Sequence, residues 1–250
     1  MAEVEGTIAL GHPAVALATP QAEGPGGFRF GEGRMAEHLG HHVLLVDPTG
    51  GPSAVADGLT TAARELGCEL VVLLDVGGDV LGHGDEPGLA SPLADAVVLA
   101  AAPRIEGCEV VLAVFGAGCD GELEPAEVAE RLEEVRAAGG HLERWELDER
   151  TLGELEAGVE AVVTEASAMA LRCARGERGE VPIRQGRRTV ELTQLGGELH
   201  LLDPLVAIES AARCAALVRD AWDLEDADAR LRAAGVRTEL QYEREHAAGG

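Results

Sequence analysis

The chain contains no lysine, and all 20 of its basic residues are arginines. This absence excludes sites that form a Schiff base through lysine, such as those of pyridoxal-phosphate enzymes and many aldolases. It also excludes the phosphate-binding loop that ends in Gly-Lys-Ser or Gly-Lys-Thr. Any clamp for a phosphate or carboxylate must therefore use arginine, backbone N–H groups or a metal ion.

Aromatic residues and long apolar runs are also scarce. Phe, Trp and Tyr make up 2% of the 250 residues, so valine, leucine and alanine must fill the core that a hydrophobic content of 46% allows. No run approaches the ~18 apolar residues that a transmembrane helix needs, and the N-terminus lacks the basic region of a signal peptide. The five cysteines form no Cys-x-x-Cys pair, which argues against structural zinc. We predict a cytoplasmic protein.

Positive charge is in short supply, since 45 acidic residues against 20 arginines give a formal net charge of −25. A surface this acidic repels the phosphates of nucleic acids and of anionic lipids. The sequence therefore predicts neither a nucleic-acid partner nor a membrane partner.

Apolar runs alternate with helical patterns along much of the chain. The runs at His42–Asp47, Glu69–Asp75 and Glu109–Phe115 are typical of buried strands, and each precedes a loop and a helix. This repetition predicts an α/β fold with a mostly parallel sheet flanked by helices on both faces, a Rossmann-like three-layer sandwich. Near the C-terminus, Arg188–Thr193 and Glu198–Asp203 predict a β-hairpin.

The expected organisation has three parts. Residues 1–40 form an irregular N-terminal segment rich in glycine and proline, with a short helix at Gly33–Leu39. Residues 41–241 form a single α/β domain. Residues 242–250 form a disordered tail, because they are polar, glycine-containing and terminal.

Two loops carry most of the chemically capable side chains, at Asp75–Ala90 and Gly116–Glu124. They follow the second and third predicted strands, and ligands of open α/β sheets bind beyond the carboxyl ends of the strands. Glycine allows the backbone to approach a ligand closely. Carboxylates bind Mg²⁺ or Mn²⁺, or act as acid and base.

The candidate residues divide by role. Candidate substrate-binding residues are Gly77, Gly78, Ser91, Gly116, Gly118 and Arg184. Candidate metal ligands are Asp79, Asp85, Glu86 and Asp120. Candidate catalytic residues are Asp79, His83 and Glu165.

Three of these residues have competing interpretations. His83 lies between two glycines, where it is either a general base or an ordinary loop histidine. Arg184 belongs to the basic stretch PIRQGRR, and it either clamps an anion bidentately or takes part in an internal salt-bridge network. Glu165 lies in an otherwise apolar helix, where a carboxylate needs a partner or a function.

Across these segments the chain resembles a prokaryotic family, found in archaea and actinobacteria, known as domain of unknown function 1152. The resemblance rests on DVGGDVLGHGDEPGLASPLADA, GAGCDGELEPAEVAERL, TEASAMAL, VPIRQGRRTVEL and TELQYE, and it covers roughly residues 33–244. It implies an α/β sheet protein and brings no reaction with it. Members of this family begin with a further strand and a multi-glycine loop ending in Asp, which nothing before Leu39 matches. The resemblance thus implies a site that is incomplete or is finished by a second subunit.

The sequence leaves three functions open. The first is a small-molecule metabolic enzyme that uses Mg²⁺ or Mn²⁺ and acts on a small anionic substrate by hydrolysis, elimination or phosphoryl transfer. The second is a nucleotide- or cofactor-binding α/β module without catalysis. The third is a shortened subunit that is active only in a homo-oligomer.

Overall fold

The computed structural model describes the backbone of residues 4–247 and the side chains of residues 4–244. The strands are β1 (Glu5–Ala9), β2 (Val15–Gly24), β3 (Phe28–Arg29), β4 (Val43–Val46), β5 (Leu70–Val76), β6 (Glu109–Phe115), β7 (His141–Glu146), β8 (Gly179–Ile183), β9 (Arg188–Leu192) and β10 (Glu198–Leu202). The helices are α1 (Gly31–Leu39), α2 (Gly51–Leu66), α3 (Pro92–Ala101), α4 (Pro125–Ala137), α5 (Glu149–Ala161), α6 (Glu165–Ala174), α7 (Pro204–Ser210), α8 (Arg213–Val218), α9 (Leu224–Ala233) and α10 (Glu239–Ala247). None of the described helices has both the length and the apolar character needed to span a membrane.

The central sheet has the strand order β5-β6-β10-β7. Strands β5 and β6 are parallel and in register along their whole length. Strand β10 lies antiparallel between β6 and β7, so that His200 is opposite Val114 on one side and Arg144 on the other. Among the described strands, β5 and β6 are therefore the one parallel pair.

The other two sheets are antiparallel. In the N-terminal sheet, β2 pairs with β1, β3 and β4. Strands β8 and β9 form a separate hairpin, joined by the turn Arg184–Gly186.

These pairings show that the predicted Rossmann-like sandwich is wrong. A mostly parallel sheet would need β4 beside the central strands, but β4 pairs with β2 in the N-terminal sheet. The predicted hairpin between Arg188–Thr193 and Glu198–Asp203 is also wrong, since β9 pairs with β8 and β10 enters the central sheet. Apolar periodicity indicates that a strand is buried, but it carries no information about the strand's partner. The fold is α/β with small mixed and antiparallel sheets.

The two chain ends also differ from the prediction. The N-terminal segment holds three strands and α1, whereas an irregular segment with a helix at Gly33–Leu39 was expected. Its longest strand buries alanines such as Ala16, Ala18 and Ala22, and these small residues give little strand periodicity. The expected disordered tail is helical over residues 242–247, and residues 248–250 lie outside the described residues. The single domain at residues 41–241 stays a prediction.

Local sequence signals place two helix starts at one edge of the central sheet. Pro92 and Pro125 occupy the first turns of α3 and α4, where the missing N–H of proline costs nothing. Glu124 and Glu127 form a reciprocal capping box at the start of α4. Both helices therefore begin soon after the loops that follow β5 and β6, which confirms the predicted helices in this part of the chain.

Apolar side chains pack on both faces of β6 in the middle of the central sheet, while one face of the edge strand β5 is exposed. On one face, Leu112, Val114 and Leu202 pack in a core with residues of α2, α3, α4 and α7 to α9. On the other face, Phe115 packs with α6 and with the β8-β9 hairpin. Strand β6 is thus packed from both sides, and the end from which its loop departs is held in place.

We expect Leu202→Ala to lower the free energy of unfolding by about 2–5 kcal/mol, because the truncation leaves a cavity in a closed core. Leu202 is 0% exposed, whereas Leu217 of α8 is 39% exposed and provides the matched control, Leu217→Ala. Urea denaturation of both variants measures the difference. Equal losses of stability would contradict the central position of β10.

Candidate functional site

The loops after β5 and β6 meet because their strands are parallel neighbours. The N–H of Gly77 donates to the carbonyl of Phe115 at 3.0 Å, and the N–H of Gly118 donates to the carbonyl of Gly77 at 2.7 Å. These two hydrogen bonds tie each loop to the other at its first residues. The side chains that follow are therefore held at one edge of the sheet.

Gly77 allows the closest approach between the two loops. Its φ is 149°, and a Cβ atom built on it would lie 2.5 Å from Cγ of Asp120. Any larger residue would push the Asp120 carboxyl group away from the β5 loop. The glycine is thus required for Asp120 to reach the carboxylates of that loop.

Four aspartates converge here, and we call Asp75, Asp79, Asp95 and Asp120 the aspartate cluster. Carboxylate oxygens of Asp75, Asp79 and Asp95 lie within 4.8 Å of one another, and Asp79 forms a second group of this kind with Asp120 and Glu122. Among the described residues, no arginine or histidine forms an ion pair with any of the four aspartates. The Oδ1 atom of Asp120 is buried without a hydrogen-bond partner. The cluster therefore brings together four carboxyl groups that form no ion pair within the described chain.

Loss of contact with water raises the pKa of all four carboxyl groups, and mutual repulsion adds to it. The pKa of Asp79 rises to about 10 and that of Asp75 to about 8. The pKa of Asp95 rises to about 6, as does that of Asp120, on which Arg184 acts in the opposite direction. At neutral pH the cluster holds protons, which a bound divalent cation would displace.

Two glutamates satisfy the backbone N–H groups at the start of α3. Glu122 accepts the N–H groups of Ala90 and Ser91 at 2.8 and 2.9 Å, and it also accepts the Ser91 hydroxyl. Glu239, at the start of α10, accepts the N–H groups of the second and third helical residues. Both carboxylates gain from the helix dipole. Because both oxygens of Glu122 are engaged, it is a weaker candidate ligand for a cation than the aspartates.

His83 belongs to a different polar network. Its Nε2 atom lies 2.9 Å from a carboxylate oxygen of Glu134 and 3.0 Å from the guanidinium of Arg131, both on α4. Glu86 accepts the N–H groups of His83 and of the following residue, both at 2.8 Å. Asp85, which is exposed, forms a group with His83 and Glu86, and this group is separate from the aspartate cluster. The network holds the β5 loop against α4.

A cavity of about 460 Å³ opens next to Glu122 and the start of α3, and we call it the arginine pocket. Its charged and polar lining includes Ser91, Glu122, Arg184, Arg187, Arg188 and Arg237. Glu122 connects the pocket to the aspartate cluster, because its carboxylate faces both. Four guanidinium groups around one cavity make a region of positive charge in a protein whose net charge is −25.

Arg184 reaches this pocket from a strained turn. Its φ is 51° and that of Gln185 is 59°, values that residues other than glycine seldom adopt. Both carboxylate oxygens of Glu165 accept the backbone N–H of Arg184, at 3.0 and 2.9 Å. The guanidinium of Arg184 lies 3.7 Å from Glu122. Glu165 thus holds the turn that presents Arg184.

The structure brings most of the predicted site residues together. Those in the two loops, at the start of α3 or at the arginine pocket are Gly77, Gly78, Asp79, Ser91, Gly116, Gly118, Asp120 and Arg184. Three others, His83, Asp85 and Glu86, form the separate network beside α4. Glu165 contacts the Arg184 backbone. The catalytic and binding roles of all these residues stay predictions.

Several further residues, Glu122 and Glu239 among them, belong to this region and were not among the predicted site residues. Asp75 ends a predicted strand and Asp95 lies one helical turn after Ser91, so sequence position alone offered a signal for both. Arg187 and Arg188 share the basic stretch of Arg184. For Arg237 the sequence contains no such signal, because this residue belongs to a distant segment that reaches the pocket only through the tertiary fold.

A family model described as "Protein of unknown function (DUF1152)" matches residues 10–247. The match begins before residue 33, where the resemblance seen in the sequence starts, and so it includes β2 and α1. Comparison with curated proteins gave no match, and neither did comparison with solved structures.

The raised pKa values predict how stability depends on pH. The folded protein binds more protons than the unfolded chain, whose aspartates titrate near pH ~4. The free energy of unfolding should therefore fall as the pH rises from about 6 toward 10, by about 1.4 kcal/mol per pH unit for each extra proton. Asp79→Asn should flatten this dependence, because asparagine cannot ionise.

Urea denaturation between pH 6 and pH 9 in the absence of divalent cations measures this dependence. Asp57→Asn is the matched control, since Asp57 is exposed on α2. Identical pH profiles for the wild type and Asp79→Asn would refute the assignment of raised pKa values to the cluster.

Proposed function

Because the chain belongs to the DUF1152 family, whose description names no reaction, we infer its function from the site and propose a metal-dependent enzyme. The proposed enzyme holds Mg²⁺ or Mn²⁺ in the aspartate cluster. It acts on a small anionic substrate held in the adjacent arginine pocket. Hydrolysis, elimination and phosphoryl transfer are the reaction classes that such a pair of sites serves.

The observation that carries this proposal is the convergence of four carboxyl groups that form no ion pair among the described residues. Other buried carboxylates of the region have partners: Glu122 and Glu239 accept N–H groups of α3, and Glu86 accepts N–H groups of its own loop. Asp75 accepts one such bond, from Gly78, while Oδ1 of Asp120 has no partner. Oxygen atoms arranged in this way are the ligands that Mg²⁺ and Mn²⁺ prefer.

The chemistry of the donors favours a hard divalent cation over a softer one. All candidate ligands are carboxylates, and Cys119, the nearest thiol in sequence, is turned into the core, where its Sγ lies 3.7 Å from Sγ of Cys173. A cation in the cluster would stabilise negative charge that develops on a substrate oxygen. An aspartate that does not bind the cation would then remain to accept or donate a proton.

Besides a cation, the proposed enzyme needs a place for its substrate, and the arginine pocket would provide it. Guanidinium groups bind anions through paired N–H donors and stay charged at all relevant pH values. The pocket meets the cluster at Glu122, so an anion bound to the arginines would lie next to the cation site. This arrangement would place an anionic group between two regions of positive charge, one of them present only when the cation is bound.

Binding of Mg²⁺ or Mn²⁺ should raise the melting temperature by about 5–10 °C at a concentration near 100 times its Kd. Differential scanning fluorimetry at pH ~8 measures this shift. Asp79→Asn should abolish it, because this residue belongs to both carboxylate groups. The control Asp57→Asn should keep it.

A melting temperature that does not respond to either cation would count against the metal-dependent enzyme. An equal response in the wild type and in Asp79→Asn would show that the cations bind elsewhere.

A further inference from the structure

Three arginines of the pocket have no carboxylate partner in the described part of the chain. Within residues 4–244, the guanidinium groups of Arg187, Arg188 and Arg237 form no ion pair. This is unexpected on electrostatic grounds, since the chain has 45 acidic residues and 20 arginines to share among them. Most other arginines of the described chain do pair with a carboxylate, for example Arg131 with Glu86 and Glu134.

The two carboxylates in the wall of this cavity accept hydrogen bonds from backbone N–H groups. Glu122 and Glu239 line the same cavity, but their oxygens accept N–H groups from the start of α3. The pocket is positive overall, because four guanidinium groups outnumber the two glutamates in its wall. Excess charge of this kind is stabilised when an anion enters the cavity.

Backbone carbonyl groups orient two of the arginines and leave most of their donors available. Arg188 donates one N–H to the carbonyl of Gly121 at 2.6 Å. Arg187 donates its Nε–H to the carbonyl of Arg184 at 3.1 Å. Each guanidinium has five N–H donors, so at least four remain on each of these side chains. Arg237 forms no hydrogen bond within the described residues.

The number and spread of these donors distinguish between classes of anion. A carboxylate has two oxygens in one plane, which a single guanidinium satisfies. A phosphoryl group has three terminal oxygens pointing in different directions and a charge close to −2 near neutral pH. Several guanidinium groups around one cavity match the second class better than the first. The cavity, at about 460 Å³, also has room for the rest of a small metabolite.

We propose that the arginine pocket is a phosphoryl-binding site, in which Arg187, Arg188 and Arg237 bind the terminal oxygens of a phosphorylated substrate. This inference rests on the proposed function, because it names the substrate class of that same site. The phosphoryl group lies with one side toward the arginines and the other toward the cation in the aspartate cluster.

Isothermal titration calorimetry at pH ~7.5 in the presence of EDTA tests the pocket without the cation. The probes are inorganic phosphate, glycerol 3-phosphate and ADP, with succinate as a dianion that lacks a phosphoryl group. We expect at least one phosphorylated probe to bind about tenfold or more tightly than succinate. Comparable affinities for inorganic phosphate, glycerol 3-phosphate and ADP would indicate that the pocket recognises the phosphoryl group itself. A higher affinity for ADP than for the other two would indicate that the substrate is a nucleotide.

Two variants assign the binding to the pocket. Arg187→Gln and Arg237→Gln should each weaken binding of the preferred probe by about tenfold, the loss expected for one charge-assisted contact. Arg219→Gln is the matched control, because Arg219 is also exposed, forms no ion pair within residues 4–244 and lies outside the pocket. All three side chains are exposed, so the variants should fold, and their melting temperatures check this.

Succinate binding as tightly as the phosphorylated probes would overturn the phosphoryl site, as would no binding of any probe. Unchanged affinity in Arg187→Gln and Arg237→Gln would overturn it as well. Because EDTA removes the cation, these results are independent of the metal titration. Phosphoryl binding without a response to Mg²⁺ or Mn²⁺ would leave the pocket in place and reject the metal-dependent enzyme.

Discussion

Strands β5 and β6 run side by side in the same direction, and this pairing forces the chain to leave both strands at one edge of the sheet. The hydrogen bonds between Gly77, Phe115 and Gly118 then hold the two following loops together. Carboxyl groups that would repel one another in water are in this way kept within 4.8 Å. Apolar packing on both faces of β6 offsets the free energy that such a cluster costs, and protonation lowers that cost when no cation is present.

The carboxylates around this edge divide into two kinds. Glu86, Glu122, Glu165 and Glu239 accept backbone N–H groups, so each of them fixes a loop or a helix start. Of the aspartates, Asp75 accepts one backbone N–H, from Gly78, and Oδ1 of Asp120 has no hydrogen-bond partner. The glutamates therefore fix the loops and helix starts, and the aspartates keep oxygen atoms that can bind a cation. The arginines show the same division, because Arg131 pairs with Glu86 and Glu134 while Arg187, Arg188 and Arg237 of the pocket form no ion pair within the described part of the chain.

Sequence reasoning succeeded where local signals determine the structure. The strand Glu109–Phe115 and the helices that begin at Pro92 and Pro125 follow from apolar periodicity and helix capping. It failed where pairing depends on distant segments. Strand β4 joins an alanine-rich strand that shows little periodicity, and β10 enters the middle of the sheet, so the Rossmann-like sandwich was wrong. The same limit applies to the site. Asp79 and Asp120 were predictable from strand ends that lie together, whereas Arg237 reaches the pocket only through the tertiary fold.

The central claim is that the aspartate cluster binds a divalent cation in exchange for its protons. Titration calorimetry of Mn²⁺ at pH ~7, repeated in buffers with different ionisation enthalpies, counts the protons released on binding. Since Asp75 and Asp79 have pKa values of about 8 and about 10 in the folded protein, binding should release at least one proton in the wild type. Binding without proton release, or no binding at all, would contradict the claim.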